Sequence, residues 1–179
     1  MPVTIGTILG VTRVIYSVLR GVLGLRDTPR LRLEPPYVRG EPGKHGLQIV
    51  RNGDRWQVAF ALRLHNDGRA EARNWRVRFM TPDDQTTLYV DRQNDGRMIA
   101  DAGFVGPGWE WDILAAGASD TVPPGIPVEI RGSHALNFRG KPESVTIRYW
   151  LTAEGMRPHD GTLHLECHWT NMTARFRLD

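Results

Sequence analysis

The stretch that decides the fold is Arg55-Trp56-Gln57-Val58-Ala59-Phe60-Ala61-Leu62-Arg63-Leu64-His65-Asn66. Trp56, Val58, Phe60, Leu62 and Leu64 alternate with Arg55, Gln57, Ala59, Ala61, Arg63 and His65. A period of two puts one face of a strand in a core and leaves the other wet. Asn66-Asp67-Gly68 follows with strong turn chemistry. Trp75, Val77 and Phe79 then resume the alternation against Arg76, Arg78 and Met80, and Pro82 stops it.

Working outward, the same pattern recurs in shorter pieces. Leu31 and Leu33 precede Pro35-Pro36, and Leu47 and Ile49 precede Asn52-Gly53. Thr87 to Asp91 is a short candidate strand. Trp109, Trp111 and Ile113 form another, as do Val128 and Ile130. Val145, Ile147, Tyr149 and Leu151 lead to Gly155. Leu163, Leu165, Cys167 and Trp169 follow His159-Asp160-Gly161, and Ala174, Phe176 and Leu178 come last. No window after residue 26 carries a helical period. The spacing predicts an all-β, antiparallel β-sandwich of about eight to ten strands. Residues 92–108, rich in Gly, Asp and Asn, read as a long loop.

The stretch from Trp56 to Phe79 resembles the Ig-like β-sandwich modules common in bacterial multi-domain and membrane-tethered proteins. Leu62-Arg63-Leu64-His65-Asn66-Asp67-Gly68, then Ala70 to Asn74, then Trp75-Arg76-Val77, match their strand, turn, small-residue link and next strand. Ile113-Leu114-Ala115-Ala116-Gly117 is similar to the Leu-x-x-Gly that precedes a further strand in them. The paired cysteines of antibody-type domains are missing. The resemblance implies binding or spacing rather than catalysis, by analogy of fold.

Residues 3–25 are apolar, with two charges, Arg13 and Arg20. As a helix, Gly6, Gly10, Arg13, Ser17, Arg20 and Gly24 share a narrow seam, while Val3, Ile8, Val11, Val14, Ile15, Val18, Val22 and Leu25 share the opposite side. The expectation is an apolar N-terminal helix and linker over 1–29 and a sandwich domain over 30–179. Such a helix would span a bilayer, lie in its interface, or pack on protein. Its contact residues would be Ile8, Val11, Arg13, Val14, Val18 and Arg20. Arg26, Arg30 and Arg32 follow it, and the positive-inside rule then places the body in the cytoplasm, at the inner face of the membrane if the helix binds there.

Cysteine usage agrees with that compartment. Cys167 is alone, so no internal disulfide framework exists. Its phase puts it in the core, where a thiol is inert. The net charge of +3 conceals a polarity along the chain: residues 30–80 carry +6 and residues 81–130 carry −7. A nucleic-acid binder would show one dominant basic stripe, and the Arg face of these strands has no interleaved aromatics for base stacking. Arginine dominates the bases, with lysine only at Lys44 and Lys141.

Chemistry is sparse. His164, Glu166 and His168 share one face of a strand, with His159 in the preceding turn, and imidazole and carboxylate are Zn²⁺ ligands. Two His four residues apart lie about 13 Å apart on a straight strand, so one ion cannot take both without a bulge. No phosphate loop or nucleophile elbow is present. Arg63, Arg76 and Arg78 face outward, and Trp150 is out of phase with its own strand's core residues, which suits an interface anchor.

Nothing in the chain reads as a catalytic centre. The reading favoured is a non-enzymatic interaction or adaptor module, membrane-associated or docked in an assembly through its N-terminal helix. It would meet a protein partner through Arg63, Arg76, Arg78 and Trp150, with no cofactor. The alternatives are a metal-binding enzyme or sensor, with Zn²⁺ a candidate ion, using His159, His164, Glu166 and His168, and a structural subunit of a homo-oligomer.

Overall fold

The computed structural model describes residues 27–83, 85–90, 100–105, 108–114, 120–130 and 134–179, with residues 89, 90, 100–105 and 108–114 described by their backbone alone. Among the described residues thirteen strands are formed: β1 (Leu31–Leu33), β2 (Leu47–Asn52), β3 (Arg55–Phe60), β4 (Arg63–Asn66), β5 (Arg76–Met80), β6 (Thr86–Val90), β7 (Ala100–Val105), β8 (Gly108–Leu114), β9 (Val128–Glu129), β10 (His134–Phe138), β11 (Ser144–Thr152), β12 (His159–His168) and β13 (Thr173–Leu178).

They make two sheets. Three strands pair in the order β1-β4-β9, and ten in the order β6-β10-β3-β2-β13-β12-β11-β5-β8-β7. Every pairing is antiparallel. The large sheet curls: β6, at one end, lies against β8, near the other, without pairing to it. Inside the curl, the rings of Phe60 on β3 and Phe176 on β13 meet at 4.9 Å across the intervening β2. The two halves of the sheet are joined where β2 meets β13, by the pairs Thr173↔Gln48 and Ala174↔Leu47.

The alternation of the sequence builds this core directly. On β11, Val145, Ile147, Tyr149 and Leu151 are buried while their neighbours face out. Leu163, Leu165 and Cys167 do the same on β12, and Ala174 and Phe176 on β13. Burial pushes the Cys167 thiol up to about 11, so it stays protonated at neutral pH.

The chain passes directly from the large sheet to the small one at a corner after β3. Residues 55–66 form two strands, β3 in the large sheet and β4 in the small one, with Ala61 and Leu62 between them. Phe60, Ala61 and Leu62 are buried in succession. Ala61 bridges to Tyr37, and the Leu62 carbonyl accepts from the Ile130 amide at 2.8 Å. β9 and β10 make the same crossing opposite, since β9 pairs with β4 and β10 with β3. Strands that switch sheets in this way form the corners of packed β structures.

Asn66 locks the far end of the corner. Its Nδ2 donates to the carbonyls of Ala70 (2.8 Å) and Val122 (2.9 Å), and its Oδ1 accepts from the amides of Arg30 (3.0 Å) and Gly68 (2.9 Å). The side chain is fully buried with both of its polar atoms satisfied. Gly68 packs so closely on Thr28, Pro29 and Arg30 that a Cβ there would collide with their backbone.

Three expectations need correction. The described chain is a mostly antiparallel two-sheet fold compatible with a β-sandwich, but it is not an Ig-like sandwich of eight to ten strands. One sheet alone holds ten, because the β2–β13 joint fuses two layers into a single curled sheet. No helix occurs among the described residues, so the N-terminal apolar helix has no support; residues 3–25 lie outside them. The loop expected over 92–108 contains β7. β10 was not anticipated, because its burial does not alternate: His134, Ala135, Leu136 and Phe138 are all buried.

Candidate functional site

Trp150 and its neighbours arise from the register of β5 against β11. The two strands pair Arg78 with Trp150, Arg76 with Thr152 and Met80 with Arg148. Directly opposed residues bring their Cβ atoms to about 5 Å, so these side chains share the outer face of the large sheet. Val77 and Phe79 on β5, and Tyr149 and Leu151 on β11, anchor that face from beneath.

Arg76, Arg78, Trp150, Thr152 and Pro158 line a cavity of about 300 Å³. That is the lower end of ligand-pocket size. Arg148, two residues along from Trp150, places its guanidinium 5.2 Å from the indole centroid. On the other side of Trp150, β12 sets Asp160 in register. Beyond β5, the register places Asp112 opposite Arg78 and Glu110 opposite Met80. The result is a half-buried indole flanked by guanidinium groups, with carboxylate positions at the margins. It can take an apolar or planar group against Trp150 and an anionic group beside it.

Arg63 does not join this face. It lies on β4 in the small sheet, with its guanidinium 4.9 Å from the Tyr37 ring and 3.7 Å from Glu34. The Tyr37 hydroxyl donates to Glu129 at 2.5 Å, and burial with that carboxylate pushes its pKa up to about 12.

His159, His164, Glu166 and His168 all fall on β12. The His164 ring is held at both nitrogens, by Asp179 (2.7 Å) and by the Thr146 hydroxyl (3.1 Å). Glu166 pairs with Arg177 at 3.2 Å. His159 stands exposed at one end of the strand, its ring 6.4 Å from that of Tyr149, and His168 at the other. Among the described residues no group of three or more His, Cys, Asp or Glu is placed to hold a metal ion.

Ile8, Val11, Arg13, Val14, Val18 and Arg20 lie outside the described residues. Among those described, no helix is long and apolar enough to cross a membrane.

No family model matches the chain, and no curated protein does. Among solved structures, that of AvmM, which catalyzes macrocyclization in alchivemycin A biosynthesis, is similar at 13% identity and a TM-score of 0.35, over 80% of this chain and 91% of that one. A likeness at that level says nothing about chemistry.

Two features escaped the sequence reading. His134 is fully buried, stacked at 6.1 Å on Phe60, and neither ring nitrogen has a hydrogen-bond partner. Burial, helped by Arg39, lowers its pKa to about 4, so the ring is neutral at pH 7. The second is a corner of Trp56, Trp169 and Lys141 at one end of the curled sheet. The in-phase tryptophans at strand ends, and one of just two lysines nearby in sequence to neither, gave a faint signal without the topology that joins them.

Proposed function

We propose that this chain is a non-enzymatic interaction module, and that its contact surface is the outer face of β5 and β11 centred on Trp150. The observation that carries the reading is the placement of Trp150. It lines the cavity with Arg76 and Arg78 instead of joining the core. Tryptophan and arginine dominate binding hot spots, because each offers a large contact area with a polar handle. The partner is a protein that inserts an apolar or aromatic side chain against Trp150 and sets a carboxylate toward Arg148.

The test places a photo-crosslinking residue at Thr152, which lines the cavity, and at the exposed Gln48 on β2 as a control. The full chain is irradiated in the cells that make it. A discrete adduct from position 152 and not from 48, lost in Trp150→Ala and in R76E/R78E, is expected. No adduct from 152, or one that both variants leave undiminished, overturns the reading.

A further inference from the structure

Away from the Trp150 face, and independent of it, a second site is built on the inner face at one end of the curled sheet. Trp56 lies on β3 between two cross-strand partners, Arg51 on β2 and Phe138 on β10. Trp169 follows β12 in the phase of its core residues. The two indoles meet at 5.2 Å with their planes at 68°, and Phe138 packs on Trp169 at 6.0 Å and 84°. Trp169 is fixed in orientation, because its Nε1 donates to the Pro142 carbonyl at 2.9 Å. Two tilted aromatic walls of this kind form a corner whose faces carry negative potential.

The corner already holds a cation. The Lys141 ammonium stands 5.3 Å from the Trp56 centroid and 5.6 Å from the Trp169 centroid. Among the described residues it meets no carboxylate; its partners are the two indole faces. Arg51 approaches Trp56 as well, at 5.9 Å. Lys141 is exposed, so its stem can swing into solvent at little cost. This is one of two lysines in a chain that otherwise uses arginine. A compact ammonium can rest against both indoles at once, where a planar guanidinium would stack on one.

The geometry points to a cation-binding corner formed by Trp56 and Trp169, in which Lys141 is an internal, displaceable occupant and a small quaternary ammonium compound is the external ligand. A trimethylammonium group is more weakly hydrated than a primary ammonium, and tryptophan is the best of the aromatic cation acceptors. Such a ligand gains the contacts Lys141 makes and gives up less water to do so. Tethering gives Lys141 a high effective concentration at the corner, so the wild-type chain binds the free ligand weakly and removal of the lysine side chain strengthens binding.

The experiment titrates tetramethylammonium chloride, and choline chloride in parallel, into the full chain at constant ionic strength, following the indole Nε1–H resonances of Trp56 and Trp169. Sodium chloride is the control. A saturable shift is expected with both organic cations, with affinity about fivefold higher in Lys141→Gln than in wild type. Trp56→Phe, which keeps an aromatic ring and the fold, should weaken the Lys141→Gln response, and Trp56→Leu should remove it. A response matched by sodium chloride, or no saturable shift in Lys141→Gln, overturns the site. Equal affinity in wild type and Lys141→Gln overturns the role of Lys141 as occupant. Since neither comparison needs the Trp56 variants, a folding failure there leaves the test decisive.

Discussion

At the scale of single residues, Asn66 and His134 mark opposite ways of burying a polar group. Asn66 answers four backbone groups at once. Asn66→Ala removes the side-chain partner of all four and leaves the Val122 carbonyl with the Ala72 amide alone, and a loss of about 2–3 kcal/mol is expected in urea denaturation. Asn66→Asp should cost stability too, because a carboxylate oxygen would then face the Ala70 and Val122 carbonyls. His134 instead satisfies nothing, and its burial is tolerated because the ring stays neutral. The unfolded chain takes up that proton near the ordinary 6.5, the folded chain only near 4. Stability is therefore unaffected above pH 6.5, falls as pH drops from 6.5 to 4, and levels off below. The loss from this group is roughly 3 kcal/mol. In His134→Leu the difference in unfolding free energy between pH 7 and pH 4 should shrink by that order, which paired denaturation curves at the two pH values would show.

At the scale of elements, period-two alternation located strands well wherever one face meets solvent, as in β3, β5, β11, β12 and β13. It failed on β10, whose His134, Ala135 and Leu136 are buried without a break, and on β7, whose Ala-Asp-Ala-Gly start resembles a loop. Alternation also says which side of a strand is greasy, not which sheet the strand enters. Arg63, Arg76 and Arg78 share a phase, so the sequence suggested one basic face. The corner at Ala61 and Leu62 sends Arg63 to the small sheet and leaves Arg76 and Arg78 beside Trp150. Trp150 itself was legible from its phase alone, whereas its cavity depends on the Arg78↔Trp150 register, which no local pattern encodes. The β11–β12 pair carries a similar dependence. Gly161 lies opposite Tyr149, and a Cβ there would meet the Tyr149 hydroxyl at 2.5 Å and ring at 2.6 Å. Gly161→Val should displace the ring and cost about 2 kcal/mol, read as a lower midpoint in thermal unfolding.

At the scale of the whole molecule, the curled sheet distributes protection unevenly. β12 is paired on both sides, by β11 and β13, while β6 and β1 each end a sheet. Amide exchange should be slowest through Leu163–Cys167 and faster by orders of magnitude in Leu31–Leu33 and Thr86–Val90, measured by mass spectrometry of peptides from the intact chain. Comparable rates in all three would mean that both sheets open together as one unit.

The β2–β13 joint has a consequence for how the molecule is made. A ribosome delivers Leu47–Asn52 long before Thr173–Leu178, and Gln48 and Leu47 wait for Thr173 and Ala174 until every strand between them has been made. Closure over so long a stretch of chain is slow. Until it happens, the unmated border of β2 is a template on which a neighbouring nascent chain can dock, so the yield of native protein depends on how well that border is shielded during translation.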